Sequence, residues 1–510
     1  MADIKEMADL VVSNWTDGWS ASARQVFEGV KIGTRYSRAE KSASIRAPGT
    51  PADGKGVPYA AYINPNNPDS GAYGGTSFVL FPFKNGPSLI AFCVGTQGLA
   101  PDERILGRPG HARKIAAICK LVNDEFGGGK RIAWSKSDPC RTDIALPASV
   151  VEDMCPCNED ENGDIDPGYE ALVAKYGNVL YAMVNTKGLS ADKVEKILKV
   201  FLDLYFGEYG IKVKGAANKK ESAEFTRAYQ TYLFPDVNEN DIAKLLDARK
   251  YVIVEGPPGT GKTRLATKVA AKYSGHTTVQ FHPNMTYEQF IGGLFPIQED
   301  DGAKSSMGFS FRPHPGSLMS SAIKARQLHE GEKYLLHIDE INRADLSRVL
   351  GEAIMLFEPK ADTDRAIDLT YKFEGIPDNR LSVPKNLHVI GTMNSADRSI
   401  AILDIAIRRR FAFIRLYPQM SVVEEFGDAF SKDAFSKLLN VFVEKATDEN
   451  FKYMPGHSYF IKSDGAADTK LQILTELLPL LQEYIEQGYV SGFADDIRAY
   501  IQEYEVLCKG

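Results

Sequence analysis

Two rhythms of apolar residues divide the chain. Through about residue 185 the apolar runs are short and separated by turn clusters, such as Pro48-Gly49-Thr50-Pro51-Ala52-Asp53-Gly54 and Asn64-Pro65-Asn66-Asn67-Pro68-Asp69. Residues 77–83 and 89–94 read as two strands of a hairpin around Lys84-Asn85-Gly86. Residues 112–123 and 190–206 carry helical spacing. This mixture predicts a separate α+β domain over 1–210. Residues 212–222 are small and charged and read as a linker, placed at 211–230. Beyond it the rhythm becomes helix, apolar strand, Gly-rich turn, helix. That alternation predicts an α/β domain over 231–424, a parallel sheet with helices on both faces. Residues 425–510 are helical by pattern, with Leu471, Leu474, Leu477, Leu478 and Leu481 at helical spacing, and predict a helical lid domain.

Length and charge constrain this picture without changing it. A chain of 510 residues is too long for one core and suggests about three domains. The net charge of -7 is mild, so the molecule as a whole is no polyanion binder, though a local basic face remains open. The opening Met1-Ala2-Asp3-Ile4-Lys5-Glu6 has no basic region followed by an apolar run. No uninterrupted apolar stretch approaches the roughly 20 residues that span a bilayer. A cytoplasmic protein with no membrane contact is expected. Six cysteines in so long a chain do not form a disulfide framework.

The chemistry concentrates in the α/β segment. The apolar strand Tyr251-Val252-Ile253-Val254-Glu255 runs into Gly256-Pro257-Pro258-Gly259-Thr260-Gly261-Lys262-Thr263, and a helical stretch starts at Arg264. This is a phosphate loop in its strand-loop-helix context. Its glycines let backbone N–H groups turn inward around a phosphate, and the helix N-terminus adds its positive end. Lys262 can reach the β and γ phosphates, and the Thr263 hydroxyl can ligate Mg²⁺. A second apolar strand, Tyr334 to Ile338, ends in Asp339-Glu340. Carboxylates at the carboxyl edge of such a sheet stand where nucleotide binds. Asp339 is expected to hold Mg²⁺, mostly through water, and Glu340 to polarise the attacking water. A third apolar strand, Val389 to Met393, ends at Asn394, whose neutral amide can orient the water or the γ-phosphate. Arg408-Arg409-Arg410 before Phe411 could supply positive charge to a transition state, including that of a neighbouring subunit.

Four strings resemble one group of AAA+ proteins, the McrB-type NTPases of modification-dependent restriction systems. They are Asp339-Glu340-Ile341-Asn342-Arg343-Ala344-Asp345, Gly391-Thr392-Met393-Asn394-Ser395-Ala396-Asp397-Arg398-Ser399, Ile407-Arg408-Arg409-Arg410-Phe411 and Gly456-His457-Ser458-Tyr459-Phe460. Ser395 stands where the best-known form has Thr. The resemblance covers about 230–490. It implies a hydrolase acting on GTP rather than ATP, a hexameric ring and a McrC-like nuclease subunit as partner. It also implies an arginine acting in trans, Arg409 before Arg410, and nucleotide contacts from Arg264, Asp397, Arg398 and, out of the lid, His457. A packed, satisfied histidine is the alternative for His457. Nothing in the residues themselves explains a guanine preference.

The amino-terminal segment looks similar, around Val57-Pro58-Tyr59-Ala60-Ala61-Tyr62-Ile63, to a domain carried by some McrB-like proteins, and DNA binding is the implied role. Between residues 104 and 141 the cations Arg104, Arg108, Arg113, Lys114, Lys120, Lys130, Arg131, Lys136 and Arg141 face only Asp124, Glu125 and Asp138. Such a stretch suits phosphate contacts. Trp15, Trp19 and Trp134 could stack on an unpaired base. The competing reading is a solvated basic face over a core that holds the tryptophans. Cys140 with Cys155-Pro156-Cys157 lacks a clean fourth ligand for zinc. Residues 158–166 trace part of a calcium loop with Gly163 in sixth place, but Pro167 intrudes and Tyr169 replaces the closing Glu. The leading expectation is a GTP-driven motor that loads onto DNA and powers a nuclease on another chain. The alternatives are an ATP-driven MoxR-like remodeller of protein complexes, or a binding module whose NTPase only switches assembly.

Overall fold

Strands that are apolar at every position, not at alternate ones, need cover on both faces, and both halves of the chain supply it. The computed structural model describes residues 3–36, 43–48, 56–68, 73–156, 167–298, 309–358, 365–396, 405–462 and 468–509. The chain divides into two compact units, Met1–Leu233 with Val443–Thr447, and Phe234–Phe442 with Asp448–Gly510. Among the described residues, no helix is long and apolar enough to cross a membrane.

The first unit is built on an antiparallel sheet. Its strands are β1 (Ser44–Arg46), β2 (Ala60–Ile63), β3 (Thr76–Phe81), β4 (Leu89–Val94), β5 (Ala133–Ser135) and β6 (Leu180–Val184), in the order β1-β2-β3-β4-β6-β5. The expected hairpin is β3 and β4, paired from Thr76↔Val94 to Phe81↔Leu89. Phe78, Leu80, Phe92 and Tyr181 face one core, with apolar residues of the helices Ile4–Val12, Trp19–Ile32, Pro109–Phe126 and Ala191–Glu208. Val79, Phe81, Ala91 and Met183 face the other, with Val150, Met154 and Leu172 from two shorter helices.

The stretch read as a linker is not one. Ala216–Leu233 is a helix that belongs to the first unit. One of its charges, Glu221, is paired, while Lys219, Lys220 and Glu224 are exposed. Glu221 accepts from Arg35 at 2.7 Å and from Lys199 at 2.9 Å, which fastens this helix to Ala191–Glu208. Arg35 also makes a two-pronged contact with Asp203, at 2.9 and 2.7 Å, and the Tyr36 hydroxyl donates to the same carboxylate at 2.8 Å. Composition alone could not reveal these partners, because they lie far away in sequence.

The second unit carries the parallel sheet. Strands β7 (Tyr251–Gly256), β8 (Gly275–Gln280), β11 (Tyr334–Asp339), β14 (Leu387–Asn394) and β15 (Ala412–Arg415) run in the order β15-β7-β14-β11-β8. The hairpin β9 (Gly292–Gln298) with β10 (Phe309–Pro315) and the ribbon β12 (Ala366–Asp368) with β13 (Arg380–Ser382) stand apart from it. Val252, Val254, Leu335 and Ile390 pack under the helices Glu239–Arg249 and Lys262–Ala270. Tyr251, Ile253, Leu336 and Val389 pack against helix Ser317–Arg326 and its neighbours on the opposite face. The residues after 425 are helical as expected. The leucine stripe is only partly core: Leu477, Leu478 and Leu481 are buried and Leu474 half-buried, but Leu471 is exposed. A π-helical turn at Ile473–Leu477 shifts the phase of that face, so Gln472 and Ile473 turn inward where regular spacing would place Leu471.

The Arg35–Asp203 contact is buried on both sides, which makes loss of one partner costly. Asp203→Ala is expected to destabilise the first unit by about 1–3 kcal/mol, since two buried N–H groups of Arg35 and the Tyr36 hydroxyl lose their acceptor while Glu221 still balances the Arg35 charge. Denaturant unfolding followed by tryptophan fluorescence reads this unit selectively, because Trp15, Trp19 and Trp134 all belong to it. A loss under about 1 kcal/mol, the range of exposed pairs, would show that the contact does not hold the helix.

Candidate nucleotide site

Three parallel strands end at one edge, and the candidate residues sit there. β14 pairs with β7 as far as Asn394↔Gly256, so Asn394 lies beside the first loop glycine. β11 pairs with β14 through Ile338↔Gly391, one residue short of Asp339. Strand register alone thus gathers the phosphate loop, the acidic pair and Asn394, which lie far apart along the chain.

The loop itself needs glycine at two positions. Gly259 has φ 78° and Gly261 has φ 77°, the left-handed region where a side chain is strained. A Cβ on Gly259 would also stand 2.5 Å from the Ser458 hydroxyl oxygen and 2.8 Å from the Tyr459 ring. Thr260 Oγ1 and Lys262 Nζ each donate to the Pro257 carbonyl at 2.8 Å, which closes the turn before helix Lys262–Ala270. Burial pushes the Lys262 ammonium down to about 8, against the opposing pull of Asp339 and Glu340.

The acidic pair is braced from several sides. Asp339 Oδ1 accepts from Thr263 Oγ1 at 2.9 Å and also from Thr392 Oγ1. Glu340 occupies a left-handed conformation, φ 54° and ψ 47°, and its N–H donates to Thr392 Oγ1 at 3.1 Å. Its carboxylate meets the Arg343 guanidinium at 2.6 Å. The Asn342 amide donates to the Asn394 carbonyl at 3.4 Å, and Asn394 Oδ1 accepts from the Ala396 N–H at 3.1 Å. Thr263 and Asp339 together offer hard oxygen donors, which fits Mg²⁺.

The Gly456-His457-Ser458 segment lies directly on the phosphate loop. Gly456 N–H donates to the Pro258 carbonyl at 2.8 Å and Ser458 N–H to the Gly259 carbonyl at 3.0 Å. His457 Nδ1 accepts from the Gln419 N–H at 3.2 Å, so the neutral ring carries its proton on Nε2. Nε2 lies 3.9 Å from where a Cβ on Gly261 would stand. Burial, with Arg264 nearby, lowers the His457 pKa to about 4, so the ring is neutral at pH 7. Arg264 is exposed just inside the loop helix. In the arginine triplet, Arg410 is buried and donates to the Ala406 carbonyl at 2.8 Å, Arg408 lies 5.3 Å from the Phe413 ring centre, and Arg409 is exposed. Asp397 and Arg398 lie outside the described residues. Thr392 and Arg343 stand in the site although the strand and motif patterns assigned neither a task.

In the first unit much of the basic stretch is occupied internally. Lys114 is buried and pairs with Glu208 and Glu444 at 2.6 Å each, and Arg108 pairs with Glu208. Arg113 donates to the Val443 and Ala446 carbonyls, Lys136 to three carbonyls, and Arg141 pairs with Asp143 at 2.8 Å. Arg104, Lys120 and Lys130 are exposed. Trp19 is buried in one core with Trp15 half-buried against it, and Trp134 is half-buried against the other core. A cavity of about 300 Å³ opens elsewhere, on the Val79 face of the sheet, walled by Tyr59, Tyr73, Phe81 and Tyr176 with Ser77 and Lys175 beside them. No pattern in the sequence marked it, because its walls come from four separate segments. The zinc and calcium candidates fall partly outside the described residues, at 157–166. Among the described residues, no three His, Cys, Asp or Glu side chains group as metal ligands.

A phosphate loop, an acidic strand end and a sensor asparagine on one parallel sheet, with a helical segment laid over the loop, define an AAA+ P-loop NTPase. Residues 251–411 match the AAA domain (dynein-related subfamily). The chain is 31% identical over 338 residues to the type IV methyl-directed restriction enzyme EcoKMcrB subunit of Escherichia coli (strain K12), covering 61% of this chain and 71% of that one. It is 29% identical over 190 residues to the type II restriction enzyme BsuMI component YdiS of Bacillus subtilis (strain 168), covering 32% of this chain and 55% of that one. A crystal structure of a candidate ATPase from Cytophaga hutchinsonii overlaps 49% of this chain and 67% of its own at 16% identity, with a TM-score of 0.25, too slight a likeness to bear on the fold. The chain belongs to the McrB-type AAA+ NTPases.

The lowered Lys262 pKa sets a pH dependence. A phosphate held by Lys262 would favour the charged lysine and raise its pKa. Below about pH 8 the lysine is already charged and affinity is flat. Above it, binding must take up a proton, and affinity should fall by up to tenfold per pH unit. Calorimetry in buffers of different ionisation enthalpy should register that uptake at pH 9 and little at pH 7. Equal heats at both pH values would remove Lys262 from the phosphate contact.

Proposed function

We propose that this chain is a GTP-hydrolysing motor that loads onto DNA through its first unit and powers a nuclease carried by another chain, in the restriction of foreign or modified DNA. The convergence of Lys262, Asp339, Glu340 and Asn394 at the ends of β7, β11 and β14 carries the hydrolase part. In this reading the backbone from Gly256 to Gly261, with Pro257, Pro258 and Thr260, wraps the phosphates, and Lys262 neutralises them. Thr263 and Asp339 hold Mg²⁺, which draws charge from the phosphate oxygens when bound. Glu340 accepts the proton of the attacking water, and Asn394 orients that water. His457 donates its Nε2 proton towards the phosphates, with Arg264, Asp397 and Arg398 as further nucleotide contacts.

GTP as substrate rests on membership of the McrB-type group, and so do the hexameric ring and the McrC-like nuclease partner. The relatives' names place them in restriction enzymes. The DNA role now leans on the aromatic cavity more than on the basic stretch, since many of those cations have internal partners. Its Tyr59, Tyr73, Phe81 and Tyr176 walls suit stacking on a base.

Hydrolysis of GTP and ATP, measured side by side with and without DNA, tests the reading. GTP turnover should exceed ATP turnover, and DNA should be retained by the full chain with an affinity that falls steeply with salt. Glu340→Gln should bind GTP yet turn it over at least about a hundredfold more slowly, having lost its base. Preference for ATP without DNA retention would replace the motor by a remodeller of protein complexes.

Exposed Arg409 is placed in the trans role ahead of buried Arg410. A finger of this kind is worth about 10³–10⁵ in turnover. Arg409→Ala and Lys262→Ala should each be nearly inactive, and mixing them should restore part of the activity. One protein then lends its finger to the other's intact pocket. A mixture that co-assembles and stays inactive would pass the role to Arg410 or Arg398.

A further inference from the structure

We infer that Thr392 is a positioning residue that sets both acidic groups of the site through one hydroxyl. The inference rests on the roles proposed for Asp339 and Glu340. Thr392 is 1% exposed, on β14, two residues before Asn394. Backbone pairing between β11 and β14 stops at Ile338↔Gly391, because the chain turns left-handed at Glu340 and leaves the strand. The Thr392 side chain takes over where the ladder ends. Its oxygen accepts the Glu340 N–H at 3.1 Å, and its proton goes to Asp339 Oδ1. A hydroxyl has one proton to give, so both directions are fixed.

Two consequences follow from that single group. Asp339 Oδ1 lies between two hydroxyls, Thr263 on the loop helix and Thr392 on the sensor strand, which fixes the carboxylate rotamer facing the metal position. The Glu340 backbone is kept in a conformation that non-glycine residues adopt only under constraint, with an N–H that would otherwise lack this partner. Thr392 therefore links the sensor strand to both the metal ligand and the base. Partners of this outer kind typically change metal affinity or activity by about 10–100-fold.

Thr392→Val keeps the shape and removes the hydroxyl; Thr392→Ser keeps the hydroxyl and removes the methyl group. In the full chain, GTP affinity without Mg²⁺ should be unchanged in both, since the loop is untouched. For Thr392→Val, the Mg²⁺ concentration for half-maximal binding enhancement should rise about tenfold, and kcat should fall about 10–100-fold with KM nearly constant. Thr392→Ser should restore most of both. Wild-type Mg²⁺ dependence and kcat in Thr392→Val would overturn the inference alone. So would a Thr392→Ser variant as impaired as Thr392→Val, because packing of the methyl group would then be the cause. If Thr392→Val fails to fold, a loss in Thr392→Ser as deep as in an Asp339→Asn control decides against the hydroxyl. If the parent chain neither binds nor hydrolyses a nucleoside triphosphate, the reading of the site falls first and the inference with it.

Discussion

The site depends on parallel strand register. A parallel ladder aligns carboxyl ends, and here β7, β14 and β11 lie next to one another with nothing inserted between them. The pairing Asn394↔Gly256 fixes where the sensor asparagine meets the phosphate loop. A slip of one residue would turn Asn394 to the other face and bury the wrong set of side chains. The continuous apolar character of these strands makes the sheet a closed interior, covered on both faces. Chemistry can then occur only where the strands stop, at the edge that holds the loop and the carboxylates.

Electrostatics at that edge is balanced on a small scale. Lys262 is a half-buried cation held by one carbonyl, its charge weakened by desolvation and supported by the two acids across from it. Glu340, the proposed base, is paired with Arg343, three residues on. The guanidinium covers a carboxylate oxygen, so a rotamer that takes a proton from water through that oxygen is one in which the contact loosens. The lid segment adds a neutral histidine, not a charged one, over the loop. A neutral donor can approach the phosphates without competing with the metal for them.

The first unit follows another logic. A basic stretch looks like a nucleic-acid footprint until its partners are known. Glu208 and Glu444 absorb Lys114 and Arg108, and backbone carbonyls absorb Arg113 and Lys136. These groups hold the unit together, while Arg104, Lys120 and Lys130 lie on the surface, as do Arg131 and Arg141 beside the exposed Asp153 and Asp143. The tryptophans serve the core in the same way. The aromatic cavity on the opposite face of the sheet is the feature that local reading could not assemble.

The sequence by itself determined the phosphate loop, the acidic strand end and the sensor strand, because each is a contiguous pattern whose chemistry requires those residue types in that order. It also determined the β3–β4 hairpin and the helices at Pro109–Phe126 and Ala191–Glu208, where local periodicity matches the final burial. Tertiary structure decided the rest. The helix from Ala216 is fastened to the first unit by Arg35 and Lys199, which reach Glu221 from elsewhere in the chain. The leucine stripe lost Leu471 to solvent because a π turn shifted its phase. Arg410 turned inward while Arg409 stayed out, a choice that three adjacent arginines cannot announce. Thr392 acquired its place only when β14 met β11, since a buried threonine in an apolar strand looks like packing until its hydroxyl finds two partners on another strand. For Glu221 and Thr392 the deciding contact joins residues far apart in sequence, and no local pattern can encode a partner it does not contain.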